Sequence, residues 1–85
     1  MTLLYFAWVR EKIGLSEESV PLPPSVRDVG GLLAWLAARG PNYAAALAKP
    51  EAIRVAVNQE HVHHGDAVAE GDEVALFPPV TGGAG

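Results

Sequence analysis

The sequence predicts an α+β domain, a mixed sheet of about five strands with one main helix packed on one face. Three observations carry this. The two most apolar short runs, LLYFAWV at residues 3–9 and EVALF at residues 73–77, lie at opposite ends of the chain and have the composition of strands inside a sheet. Between them, Val26, Val29, Leu33 and Leu36 recur at spacings of three and four, which draws one apolar stripe along a helix. Finally, 85 residues suffice for one domain and one core, so strands and helix must share it.

Taken in order, residues 3–9 have no polar face and read as a central strand covered on both sides. Residues 10–14, REKIG, read as a polar turn closed by glycine. Residues 16–22 offer a second strand, which Pro21 demotes to an edge because it has no N–H for a ladder, and the two strands read as a hairpin. Pro23 and Pro24 stop it. Ser25 is then a helix N-cap candidate with Asp28 at the third helical position. Gly30 and Gly31 each cost a helix interior about 1 kcal/mol, which points to close approach of a strand or loop there. Gly40-Pro41 ends the helix. Residues 42–49, with Asn42 as cap candidate and many alanines, predict a short second helix. IRVAV at residues 53–57 alternates as a half-buried strand, residues 58–60 are a turn, and residues 61–63 a short return strand. A polar passage over residues 66–72 leads into the last strand, Glu73 to Phe77. Packing one helix across a sheet whose first and last strands are central neighbours gives the β-grasp, or ubiquitin-like, architecture. The domain is expected to occupy residues 1–80, with residues 81–85 as a flexible glycine-rich C-terminal tail.

Composition narrows the function. With 49% hydrophobic residues and no apolar run near the ~20 needed to cross a bilayer, the chain reads as soluble, without a membrane partner. Its first charges follow the opening apolar stretch, where a signal peptide has them before, so a cytoplasmic location is expected. A net charge of −4 with six Lys and Arg in no cluster argues against nucleic acid and for a partner with a basic face. There is no cysteine, which excludes disulfides, thiolate metal sites and cysteine catalysis by this chain. His61, His63 and His64 lie close together, and residues two apart share a strand face, but with only Glu60 and Asp66 nearby they read as a hairpin-end cluster, and no metal is expected. Tyr5, Phe6, Trp8 and Trp35 are of types more often core than binding. Phe6 and Phe77, at corresponding ends of the two central strands, are candidates for a partner-docking face. Arg10 and Glu11 are equally well a solvated turn or polar contacts at its rim.

The chain closes on Pro78, Pro79, Val80, Thr81, Gly82, Gly83, Ala84, Gly85. Two prolines remove two donors and hold the backbone extended, so the segment must leave the sheet. Beyond Thr81 it has no bulk and a wide choice of dihedrals, which suits threading a narrow channel. The one reactive group at its tip is the α-carboxylate. A phosphate loop is excluded, because no Lys-Ser/Thr follows the glycines.

The stretch from Gly71 to Gly83, GDEVALFPPVTGG, resembles the closing motif of the small subunit of molybdopterin synthase. Leu3 to Phe6 with Arg10, Glu11 and Gly14 resembles that family's opening strand and turn, and Val55 to Asn58 its middle strand, so the likeness spans nearly the whole chain. The resemblance implies a sulfur carrier. Its terminal glycine carboxylate is adenylated and converted to a thiocarboxylate, which donates sulfur to precursor Z in building the dithiolene of molybdopterin. On this basis Gly83, by family match, or Gly85, as the chain end, carries the sulfur. Pro78, Pro79, Val80, Thr81 and Gly82 thread the tail into the partner. The chain supplies no catalytic side chain and holds no permanent cofactor; ATP and magnesium belong to the activating enzyme. The implied partners are that adenylyltransferase/sulfurylase and the large subunit of molybdopterin synthase, with which it forms a heterotetramer.

Ala84-Gly85 departs from the family pattern. Two extended residues displace the carboxylate by up to about 7 Å, far more than positioned chemistry tolerates. The pair is removed before activation, or is accepted by the cognate enzymes, or marks a chain that is not a working carrier. Alternatives to the molybdopterin role are a carrier for another pathway such as thiamine thiazole synthesis, a non-covalent β-grasp interaction module, and a structural enzyme subunit.

Overall fold

The computed structural model describes residues 1–79, which form one five-stranded mixed sheet backed by three α-helices. Strands β1 (Thr2–Tyr5), β2 (Glu17–Ser19), β3 (Arg54–Val57), β4 (Glu60–Val62) and β5 (Glu73–Phe77) lie in the order β2-β1-β5-β3-β4. As expected, the first and last strands are central neighbours. They run parallel, with Thr2 opposite Glu73 and Tyr5 opposite Leu76. All other pairings are antiparallel.

The opening apolar run is where expectation and structure part. It is not one strand: β1 ends at Tyr5, and helix α1 (Ala7–Ile13) takes in both the rest of the run and most of the supposed REKIG turn. The break is abrupt, with Phe6 extended and Ala7 at a left-handed φ of 53°. Val9 and Ile13, four apart, bury one helix face, and the charged residues of 10–12 occupy the exposed flank. Gly14 closes α1 at φ 92°, its N–H donating to the Arg10 carbonyl at 2.8 Å. Strands β1 and β2 are therefore antiparallel neighbours joined through a helix, not by a tight hairpin.

Helix α2 (Val29–Ala37) begins later than the Ser25 cap predicted. Asp28 is the cap, its carboxylate accepting from the Gly31 N–H at 2.7 Å. The first helical donors are taken by the loop before β5: Val29 N–H reaches the Asp66 carbonyl at 3.0 Å and Gly30 N–H that of His64 at 2.7 Å. A Cβ on Gly30 would stand 3.3 Å from the same His64 oxygen, the close approach its glycine suggested. Replacing Asp28 by alanine is expected to cost about 1 kcal/mol, read from the urea midpoint. An unchanged midpoint would mean that the 64–66 loop holds the helix start alone.

Gly40 and Asn42 also differ from expectation. Gly40 is the N-cap of helix α3 (Pro41–Ala46) rather than the end of α2, with Pro41 in the first turn. Asn42 caps another element: its side-chain amide donates to the Ile13 carbonyl at 2.7 Å and ties the end of α1 to α3.

The core follows from these placements. Leu3 and Tyr5 of β1, Val55 of β3, and Val74 and Leu76 of β5 point to one face, where Val9, Val29, Leu32, Leu33 and Leu36 close over them, all at most 2% exposed. Strands β1 and β5 alternate buried and half-buried residues, so they are covered on one face, not on both. One polar cluster sits at the margin of this core. The Glu18 carboxylate on β2 accepts from Tyr5 and Tyr43 hydroxyls at 2.7 Å each and from Arg39 at 3.1 Å.

Candidate functional site

The open face of the sheet is laid out by strand register, since paired residues point to the same side. Leu4, opposite both Glu17 and Ala75, Ala75 opposite Ala56, and Ala56 opposite His61 make one row across all five strands. Phe77, opposite Arg54, and Phe6, the next residue after the Tyr5–Leu76 pair, extend it towards the end of the sheet from which the tail departs. Phe6 keeps its backbone in the ladder, its N–H donating to the Leu76 carbonyl at 3.1 Å, while the residue is 47% exposed. Phe77 is half-buried, with the His61 ring edge-on at 5.5 Å between centroids.

This is a shallow apolar surface with small residues at its centre, two phenyl rings at one end and Glu17, Arg54, His61 and Glu73 around it. A flat floor of alanine lets a partner come close to the sheet, and exposed rings supply anchors. The sequence pointed to Phe6 and Phe77, and the structure brings them to adjacent strand ends. It did not point to Leu4, Ala56, Ala75, Arg54 or His61. For Leu4 and Ala75 the signal was the period-two alternation within LLY and EVALF, which a reading of both strands as fully covered set aside; for Arg54 and Ala56 it was the alternation of IRVAV, which was read without assigning its open face a role.

Arg10 and Glu11 are exposed on α1, not in a turn. Arg10 stands one helical turn from Phe6, its N–H donating to the Phe6 carbonyl at 3.4 Å. Neither makes an ion pair among the described residues. Pro78 and Pro79 follow directly on β5 and are half-buried. Val80, Thr81, Gly82, Gly83 and Gly85 lie outside the described residues.

The three histidines do not converge. His61 faces Phe77, His64 sets a ring nitrogen 2.9 Å from the Ile53 carbonyl, and His63 N–H donates to Asp66 at 2.8 Å. Among the described residues no helix is long and apolar enough to cross a membrane.

The profile of the ThiS family matches residues 3–83, nearly the whole chain and through the second glycine of the closing motif. The chain belongs to the ThiS family. Within that family it is 39% identical over 83 residues to the molybdopterin synthase sulfur carrier subunit of Haemophilus influenzae, covering 98% of this chain and 99% of that one. It is 38% identical over 81 residues to the Escherichia coli protein of the same name, covering 95% and 96%. The small archaeal modifier protein 1 of Haloferax volcanii superposes with a TM-score of 0.72 at 31% identity, covering 94% of this chain and 97% of that one. This ThiS-family chain thus has the β-grasp fold that its element order predicted.

Proposed function

We propose that this chain is the sulfur carrier subunit of a molybdopterin synthase, bearing sulfur as a thiocarboxylate on its terminal glycine. The observation that carries the reading is the near full-length likeness to curated carrier subunits, together with a family match that runs through Gly83. The curated relatives all carry the molybdopterin name, which favours this role over thiazole synthesis.

The chemistry asks little of the folded domain. An activating enzyme using ATP and magnesium transfers AMP to the terminal carboxylate with release of pyrophosphate, and sulfur delivered at the sulfide level then attacks the acyl carbon and displaces AMP, leaving C(=O)–S⁻ in place of the carboxylate. The chain contributes a carbon without a neighbouring Cβ, open to a nucleotide phosphate and then to the donor. It also contributes the surface that presents it. The apolar row Leu4-Ala75-Ala56 with Phe6 and Phe77 docks the large subunit and the activating enzyme, Arg10 and Glu11 make polar contacts at its edge, and residues 78–82 lead the terminus into the partner's pocket. The large subunit supplies the site where sulfur passes to precursor Z, and two carriers flank a pair of large subunits in a heterotetramer. The setting is the cytoplasm.

Intact mass tests this. The full chain, and separately a chain ending at Gly83, is incubated with a molybdopterin-synthase sulfurylase, ATP, magnesium and a sulfur donor. Gain of the mass of one oxygen exchanged for sulfur by the shorter chain alone makes Ala84-Gly85 a block that is removed before activation. Conversion of the full chain makes Gly85 the working terminus. Conversion of neither overturns the carrier reading.

A further inference from the structure

A second feature lies away from the open sheet face. Between α1, α3 and the 3-10 turn Pro50–Ala52 is an open pocket of about 280 Å³, its floor made by Ala45, Ala48 and Ala52 and its wall by Trp8. Lys12 and Lys49 stand at its edge, and they are the only two lysines in the chain. In a protein of net charge −4, both lysines flank one apolar hollow, and neither meets a carboxylate within 4.0 Å among the described residues. Lys12 instead sets its ammonium 5.7 Å from the Trp8 ring centroid, leaving its other directions to water.

Trp8 is itself out of place. The sequence put it in the core, but it is 37% exposed, and among the described residues the exposed large apolar side chains are Phe6, Trp8 and Leu15, all on or beside α1. Phe6 belongs to the sheet face described above; Trp8, two residues on, turns to the pocket. The hollow is too shallow to enclose a small molecule and about the size of one large side chain with part of its backbone. Two ammonium groups beside an apolar floor select a segment with carboxylates on either side of a bulky apolar residue.

We propose that the α1–α3 pocket is a docking site for an acidic segment of a partner protein, which inserts one aromatic or large aliphatic side chain against Trp8 while its carboxylates meet Lys12 and Lys49. This surface is separate from the sheet face, and it stands whether or not the tail carries sulfur.

The test uses the isotope-labelled full chain and a short capped peptide with one phenylalanine between aspartates, followed by amide and indole NMR shifts. Saturable shifts are expected at the Trp8 indole N–H and at the amides of Ala45, Ala48 and Ala52. They should be lost in ~1 M salt, where the screening length falls to about 3 Å. A peptide with lysines in place of the aspartates should leave these signals unmoved. The double variant Lys12→Gln, Lys49→Gln, altered only at exposed positions, should weaken binding at least about tenfold, the sum expected of two exposed charge contacts. The proposal is overturned by an absence of saturable shifts, by shifts centred on Ala56 and Ala75, or by a double variant that binds unchanged. It is equally overturned if concentrating the free chain moves the same signals, which would make the occupant a second copy.

Discussion

Replacing Phe6 by alanine is expected to lower affinity for the large subunit of molybdopterin synthase by about thirty- to a hundredfold, the loss typical of one buried aromatic anchor. The folded domain should scarcely notice. The residue is nearly half exposed and its ring projects from the open face of the sheet, so removing the ring leaves no cavity and should change stability by no more than about 0.5 kcal/mol. Titration calorimetry with the large subunit and a thermal melt of the free variant separate the two effects. Phe77→Ala should also weaken binding, but with some loss of stability, because its half-buried ring packs on His61. Undiminished binding by Phe6→Ala would move the docking surface off this face.

The second large effect concerns the fold. Glu18→Ala is expected to cost about 2–3 kcal/mol, mostly the penalty of leaving the Tyr5 hydroxyl without its acceptor at the core margin, with a smaller share from the partly exposed pair with Arg39. In a domain of this size that lowers the melting temperature by roughly 10–20 °C. The reason is what the carboxylate leaves behind. Tyr5 is 1% exposed, and its hydroxyl would lose its acceptor inside the core margin; Tyr43 on α3 and Arg39 beyond α2 would lose their tie to the edge strand β2. Arg39 would still lie over the Trp35 and Tyr43 rings, at 5.3 and 5.0 Å.

The same cluster sets a pH dependence. Burial alone would raise the Glu18 pKa, but hydrogen bonds from Tyr43, Tyr5 and Arg39 outweigh it and hold the carboxyl below its ordinary value. The folded state thus binds the proton more weakly than the unfolded chain. Its stabilisation is present above the ordinary glutamate value of about 4.3 and is lost as pH falls through the lower folded value. Tyr5 and Tyr43 shift the other way: burial first, then the hydrogen bond to Glu18, raise both above the ordinary tyrosine value. Their contribution is full below pH ~10 and declines as pH rises past it. Urea midpoints from acid to alkaline pH should trace a plateau with a falling limb on each side, and Glu18→Ala should flatten the acid limb.

How much of this was legible depended on which residues had one local meaning. EVALF, bounded by Asp72 and Pro78, had one, and β5 spans Glu73 to Phe77 as read. The central pairing of first and last strands followed from placing the two most apolar runs side by side. LLYFAWV had two meanings. Its first half alternates on a sheet and its second half belongs to a helix with Val9 and Ile13 four apart, and the junction is an alanine in a left-handed conformation that nothing in an alanine announces. Similarly, Ser25 was read as the cap and Asp28 as the third helical residue, although serine and aspartate cap helices about equally well. The choice between them was made at long range, by the loop carbonyls of His64 and Asp66 that satisfy the first donors of α2. The exposed apolar end of the open sheet face was legible in its two phenylalanines, but its alanine floor was not, since alanine marks neither a core nor a surface.

The pairing of residue 2 with residue 73 has a consequence for how the molecule comes into being. A parallel contact between the two ends of a chain is among the slowest to form, because nearly the whole loop between them must close first. On the ribosome, β1 emerges first and then waits for its principal neighbour, which is made last. Strand β5 lies between β1 and β3, so until it arrives the sheet is two separate pairs of strands. Synthesis cut short before Glu73 yields no assembled sheet for a partner to grip. The strand that completes the sheet also runs directly into Pro78 and Pro79, so closure of the sheet and anchoring of these two prolines are one kinetic event.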